Sequence, residues 1–222
     1  MEGDSQIAAS VQGNRRDAKK RAVVFPHSHL KVVINSLLRL FIAINFPDAM
    51  RKRMWSEAAP LRDAGYPVKW VAPGNIHMTV KFLGEVDESS ADAIEAGLRS
   101  AVVDTKTFGL PVGQFGAFPS AKRPRVLWVG CETLPALELL ADAVEREMSQ
   151  LGFETEGRAF RLHVTIGRVR REARPAELKG LEKDLERLEF FEEPQIASVD
   201  LMRSHVGPKG PRYEILASAE LA

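Results

Sequence analysis

A five-residue pattern occurs twice in this chain. Ile76-His77-Met78-Thr79-Val80 returns as Leu162-His163-Val164-Thr165-Ile166, which is apolar, His, apolar, Thr, apolar in both places. On an extended backbone successive side chains point to opposite faces, so His and Thr share one face while the apolar residues face a core. Each copy therefore offers an imidazole beside a hydroxyl. Imidazole ionises nearest neutrality of all side chains and can take up a proton as a base or give one as an acid. A threonine hydroxyl can donate a hydrogen bond to an anionic oxygen. One such strand carries little weight, because a histidine satisfied within a core is commoner than a working one. Two copies among only five histidines in 222 residues outweigh that reading.

The rest of the chain must position these strands. Hydrophobic residues make up 45% of it, which excludes general disorder and is enough for one large domain or two closely packed lobes. Lysine and arginine total 31 against 30 aspartates and glutamates. The first 38 residues hold six basic and three acidic side chains, so the remainder is slightly acidic. Such a body has no bulk field for gripping duplex nucleic acid by counterion release, and any phosphate must be held locally. Cys131 is the only cysteine, which excludes an intrachain disulfide and a multi-cysteine zinc site and fits a reducing compartment. It reads as a small buried hydrophobe rather than a nucleophile.

Residues 1–38 read as a disordered or weakly ordered extension. They are polar and aperiodic, lack the basic-then-apolar order of a signal peptide, and contain a His27-x-His29 pair best read as part of a solvated tail. The apolar stretch 30–46 is broken by Lys31, Asn35, Arg39 and Asn45 and is too polar to span a bilayer. From residue 39 onward the punctuation is regular. It predicts strands over 39–46, 68–71, 76–83, 108–118, 125–131, 161–168, 196–204 and 212–216, and helices over 47–64, 87–103, 133–150 and 175–188. No glycine-rich phosphate loop accompanies them, so the class is α+β rather than a nucleotide-binding parallel α/β fold.

Five blocks in order, the two His-x-Thr elements among them, resemble the RNA 2′,3′-cyclic phosphodiesterase (2′-5′ RNA ligase) family of the two-histidine phosphoesterases. They are Arg39-Leu40-Phe41-Ile42-Ala43-Ile44, then Asn75 to Gly84 around His77, then Phe118-Pro119-Ser120 with Arg123 to Gly130. The second motif through Arg168 follows, and Gly210-Pro211-Arg212-Tyr213-Glu214 completes the set. The resemblance covers residues 39–222 as a single bilobal domain. It implies two antiparallel sheets related by pseudo-twofold symmetry around a central cleft, with helices outside. It also implies hydrolysis of RNA 2′,3′-cyclic phosphate ends to 2′-phosphomonoesters, His77 being the proton donor and His163 the proton acceptor. Partners would be RNA ends or small cyclic nucleotides, with no membrane, no metal and no cofactor, in a cytoplasmic monomer. The same motifs would serve a 2′-5′ oligonucleotide or small cyclic-nucleotide phosphodiesterase, a reversible 2′-5′ RNA ligase or a non-catalytic nucleotide-binding module.

Phosphoryl transfer needs attacking and leaving oxygens in line and donors for the remaining oxygens. Two imidazoles can serve the first need, and Thr79 and Thr165 the second. With unperturbed histidines, the pH profile is expected to be a bell centred near neutrality. Lys81, four residues beyond His77, would by strict alternation also face the cleft as a phosphate ligand, with a solvated lysine at the strand end as the competing reading. Arg168, at an odd offset from His163, would point away unless Gly167 allows a bulge; the family carries a phosphate-binding arginine there. Phe46, Trp70 and Phe160 are candidates for stacking a base, with core packing as the competing reading.

Overall fold

Strand-forming residues alternate strictly along β1 (Leu37–Asn45), and both of its faces are used. Leu38, Leu40, Ile42 and Ile44 enter the main core, whereas Phe41 and Ala43 lie opposite, in a small cluster with Met202 and Tyr213. In a computed structural model, which describes residues 36–155, 162–208 and 210–222, this strand is the third of a large antiparallel sheet. The strand begins two residues before the expected boundary. Leu38 is 4% exposed and enters the core, and residue 37 is paired with Asp87 of the neighbouring strand, so both belong to the domain and not to an extension.

After β1 the chain forms α1 (Asp48–Glu57), α2 (Ala59–Asp63), β2 (Val68–Trp70), β3 (His77–Asp87) and α3 (Ala91–Val102). There follow β4 (Phe108–Gly109), β5 (Val112–Phe118), β6 (Val126–Cys131), α4 (Pro135–Gln150) and β7 (His163–Val169). The chain closes with α5 (Leu181–Glu186), β8 (Phe191–Glu192), β9 (Gln195–Ile196), β10 (Ser198–Gly207) and β11 (Gly210–Glu220). The single helix expected over 47–64 is two, broken at Ala58. On α3 and α4 the buried positions recur every three or four residues. Ile94 and Leu98 on one helix and Leu137, Leu140, Val144 and Met148 on the other make one apolar stripe each. The two helices approach closely at Gly97, where a Cβ would lie 3.1 Å from Met148 Cε.

The fold is α+β. Strand order is β11-β10-β1-β3-β7-β6-β5-β8, with β2 also paired to β7, and every pairing is antiparallel. β4 and β9 form a separate two-stranded sheet. The two expected sheets are thus halves of one larger sheet. They join through a single register pair, Met78↔Val164, so the two His-x-Thr strands lie side by side at the seam. Extending that register sets His77 across from Thr165 and His163 across from Thr79, all on one face. No helix among the described residues is long and apolar enough to cross a membrane.

Candidate active site

Both motifs open into one cleft of about 760 Å³, lined by His77, Thr79, His163, Thr165 and Arg168 among others. Asn75 ends the Pro73–Asn75 turn just before β3, and its carbonyl lies 2.8 Å from His77 Nδ1. A carbonyl only accepts, so Nδ1 carries a hydrogen and Nε2 is left as the working nitrogen. Thr79 Oγ1 lies 3.1 Å from that Nε2. The side chain of Asn75 meanwhile donates to the carbonyl of Pro211 at 2.7 Å, tying the start of β11 to the turn. Tyr213 sits two residues further on, its ring edge-on to His77 with centroids 5.1 Å apart. Phe41 covers the imidazole from β1, at 5.0 Å. The second motif repeats the device: Phe118 from β5 stands edge-on to His163, also at 5.0 Å.

Burial among these rings pushes the His77 pKa down to about 4, and the positive charges of Arg168 and Arg51 act in the same direction. The hydrogen bond to Asn75 opposes the shift without reversing it. His77 is therefore neutral at pH 7 in the free protein. The acid limb of a profile for the free protein then falls near pH 4, well below the position expected for an unperturbed ring. Burial likewise raises the Tyr213 hydroxyl. Cys131, partly buried against the core, has its thiol pushed up to about 12 by desolvation and is no nucleophile at neutral pH.

One irregularity sorts the cationic candidates. Ala43 pairs with Thr79 and Ile42 with Lys81, so Val80 is an extra residue in β3. Trp128 pairs with Thr165 and Leu127 with Gly167, so Ile166 is an extra residue in β7. Both bulges fall three positions after the histidine, and beyond a bulge the alternation resumes with opposite parity. Position five is thereby turned into the cleft and position four away from it. Arg168 lines the cleft in consequence. Gly167 must be small: a Cβ there would lie 2.6 Å from Val68 Cγ1. Lys81 does not reach the cleft. It is 1% exposed and donates to Glu145 Oε2 at 2.8 Å and to the carbonyl of Glu154 at 2.9 Å, fastening β3 to α4 and to the chain beyond it.

The aromatic candidates also differ from expectation. Phe46, 3% exposed, belongs to the main core, because it continues the inward row of Ile42 and Ile44. Trp70 packs half-buried against that core over Gly167 and is not among the cleft-lining residues. Phe160 lies outside the described residues, as do His27 and His29. The rings that do face the histidines, Phe41, Phe118 and Tyr213, stand within the family blocks of the sequence without any local signal of their role. A further hollow of about 580 Å³ beside Arg53 and Phe190 holds neither motif, and Arg53 is there paired with Glu192 at 3.0 Å. Among the described residues no three His, Cys, Asp or Glu side chains converge on a point that would hold a metal ion.

Paired His-x-Thr strands facing one cleft across an antiparallel seam define a phosphoesterase of the two-histidine type. The chain belongs to the LigT-like phosphoesterase family, whose model matches it twice, over residues 44–128 and 130–213, with one His-x-Thr motif in each match. The RNA 2′,3′-cyclic phosphodiesterase of Archaeoglobus fulgidus is 34% identical over 179 residues, covering 81% of this chain and 98% of the relative. That of Thermotoga maritima is also 34% identical, over 182 residues and 81% and 93% of the two chains. Among solved structures, TT0787 of Thermus thermophilus matches the fold with a TM-score of 0.70 at 24% identity, over 83% of this chain and 98% of its own. Escherichia coli LigT complexed with phosphate matches with a TM-score of 0.60 at 25% identity, over 84% and 98%.

Proposed function

We propose that this chain hydrolyses RNA 2′,3′-cyclic phosphate ends to 2′-phosphomonoesters. The observation that carries the reading is the seam, which sets two imidazoles and two threonines on one face of one cleft. The names of the relatives, RNA 2′,3′-cyclic phosphodiesterases, supply the substrate class. His163 takes a proton from water as its oxygen attacks phosphorus. The bond from phosphorus to the 3′-oxygen breaks, and His77 Nε2 gives that oxygen its proton. Thr79, Thr165 and Arg168 hold the non-bridging oxygens.

His77 has to be protonated to act as the acid, yet burial keeps it neutral in the free protein. The substrate resolves this. An anionic phosphate beside the ring favours imidazolium, so binding itself raises the pKa. As Nε2 gains its proton, the Thr79 hydroxyl can no longer donate to it and turns its hydrogen toward the phosphate. In a proton NMR titration of the free protein, the His77 ring should show a midpoint near 4, and addition of a nucleoside 2′-phosphate should move it upward. No movement would remove substrate loading of the acid. Linkage has a definite sign here. The ordinary value of 6.5 is lowered in the folded state, so stability is full above about pH 6.5 and is lost as pH falls toward 4.

The direct test of function offers a cyclic-phosphate-terminated oligoribonucleotide and identifies the product, with and without excess chelator. The expected result is a 2′-phosphomonoester at undiminished rate in chelator, since the motifs already supply acid, base and anion donors. A 3′-phosphate product would reverse the bond that is cleaved, and loss of turnover in chelator would recast the histidines as metal ligands.

A further inference from the structure

The bulge that turns Lys81 away from the cleft turns Phe82 into it. Phe82 lines the cleft and is 57% exposed, held between two extra residues, Val80 and Leu83, whose side chains are buried on the other face. Its ring lies 6.5 Å from that of Phe41, which in turn lies 5.0 Å from the His77 ring. A row of rings thus leads along the cleft floor away from the paired motifs. Arg39 continues it, two residues before Phe41 on the same face of β1 and lining the same cleft. Its charge is close enough to act on the Tyr213 hydroxyl, and among the described residues it makes no ion pair. A lone exposed phenylalanine is ordinary. One fixed on the floor of a cleft beside an unpaired guanidinium offers a stacking plane and an anion site together, and that combination suits a nucleotide.

We propose that this arm of the cleft binds the second nucleotide of an RNA end, the one 5′ to the cyclic phosphate, with its base stacked on Phe82 and a backbone phosphate paired with Arg39. The inference rests on the cyclic phosphodiesterase reading above and narrows its substrate to chains longer than one nucleotide. Base stacking on an aromatic side chain is sequence-tolerant, so the arm selects for length and not for base identity.

The experiment compares kcat/KM on a mononucleoside 2′,3′-cyclic phosphate and on a dinucleotide bearing the same end. The wild-type protein should prefer the dinucleotide by about tenfold or more, and Phe82→Ala should reduce that ratio about tenfold, while Phe82→Tyr keeps it. Arg39→Ala should also lower the ratio and flatten the salt dependence of the dinucleotide reaction. A wild-type ratio near one would overturn the proposal. So would a Phe82→Ala variant that slows both substrates equally. Turnover of neither substrate by the wild-type protein would instead overturn the phosphodiesterase reading on which the proposal stands.

Discussion

Alanine at His77 or at His163 is expected to lower turnover of a 2′,3′-cyclic phosphate by about 10²- to 10⁴-fold, the range for loss of a positioned acid or base. The fold should survive either change. Both histidines sit on the cleft face at the seam, while the residues between and around them that build the core, Met78, Val80, Val164 and Ile166, are untouched. The two losses should not add. Acid and base serve one transition state, so the double variant should be little slower than the slower single one. The roles can be separated by the leaving group. A phosphodiester with a p-nitrophenolate leaving group needs no proton at the departing oxygen, so His77→Ala should be spared on it and His163→Ala should not. Near-full turnover of the cyclic substrate by either alanine variant would end the paired-imidazole mechanism.

How far the site could be read from sequence depends on what decides each residue's direction. The two motifs were legible because His and Thr are separated by two positions, and that spacing fixes a shared face on any regular strand. The strand pairing at Met78↔Val164 follows from two chain segments of the same type meeting edge to edge. Strict alternation misplaces Lys81 because it runs through Val80, and an extra residue in a strand leaves no mark in composition or period. The same bulge concealed Phe82. Arg168 escaped the error only because Gly167 stands before it and signals a place where the strand departs from regularity. Phe46 and Trp70 show the limit from the other side: an aromatic residue near a motif announces bulk, and only the strand's facing decides whether the ring meets substrate or core. Tyr213 lies 136 positions from His77 and reaches it through β1, β10 and β11, a path set by long-range pairing.

Arg168 is expected to carry the next largest effect. Hydrogen bonds to a charged partner are each worth about 1.5–3 kcal/mol, so Arg168→Ala should lower kcat/KM by roughly 10- to 150-fold. Arg168→Lys should recover only part of this, because a lysine supplies a point charge without the planar fork that meets two phosphate oxygens at once. A second readout distinguishes this role from general damage to the cleft. The charge of Arg168 is one cause of the low His77 pKa, so removing it should raise the His77 titration midpoint in the free protein. The variant should therefore hold a more readily protonated acid and still be slower, because anion stabilisation is lost even as the proton donor becomes easier to load. Arg168→Lys should leave the midpoint closer to that of the native protein than Arg168→Ala does, since the charge remains. Equal kinetics for arginine, lysine and alanine, with an unmoved His77 midpoint, would return Arg168 to the surface and leave the non-bridging oxygens to the two threonines alone.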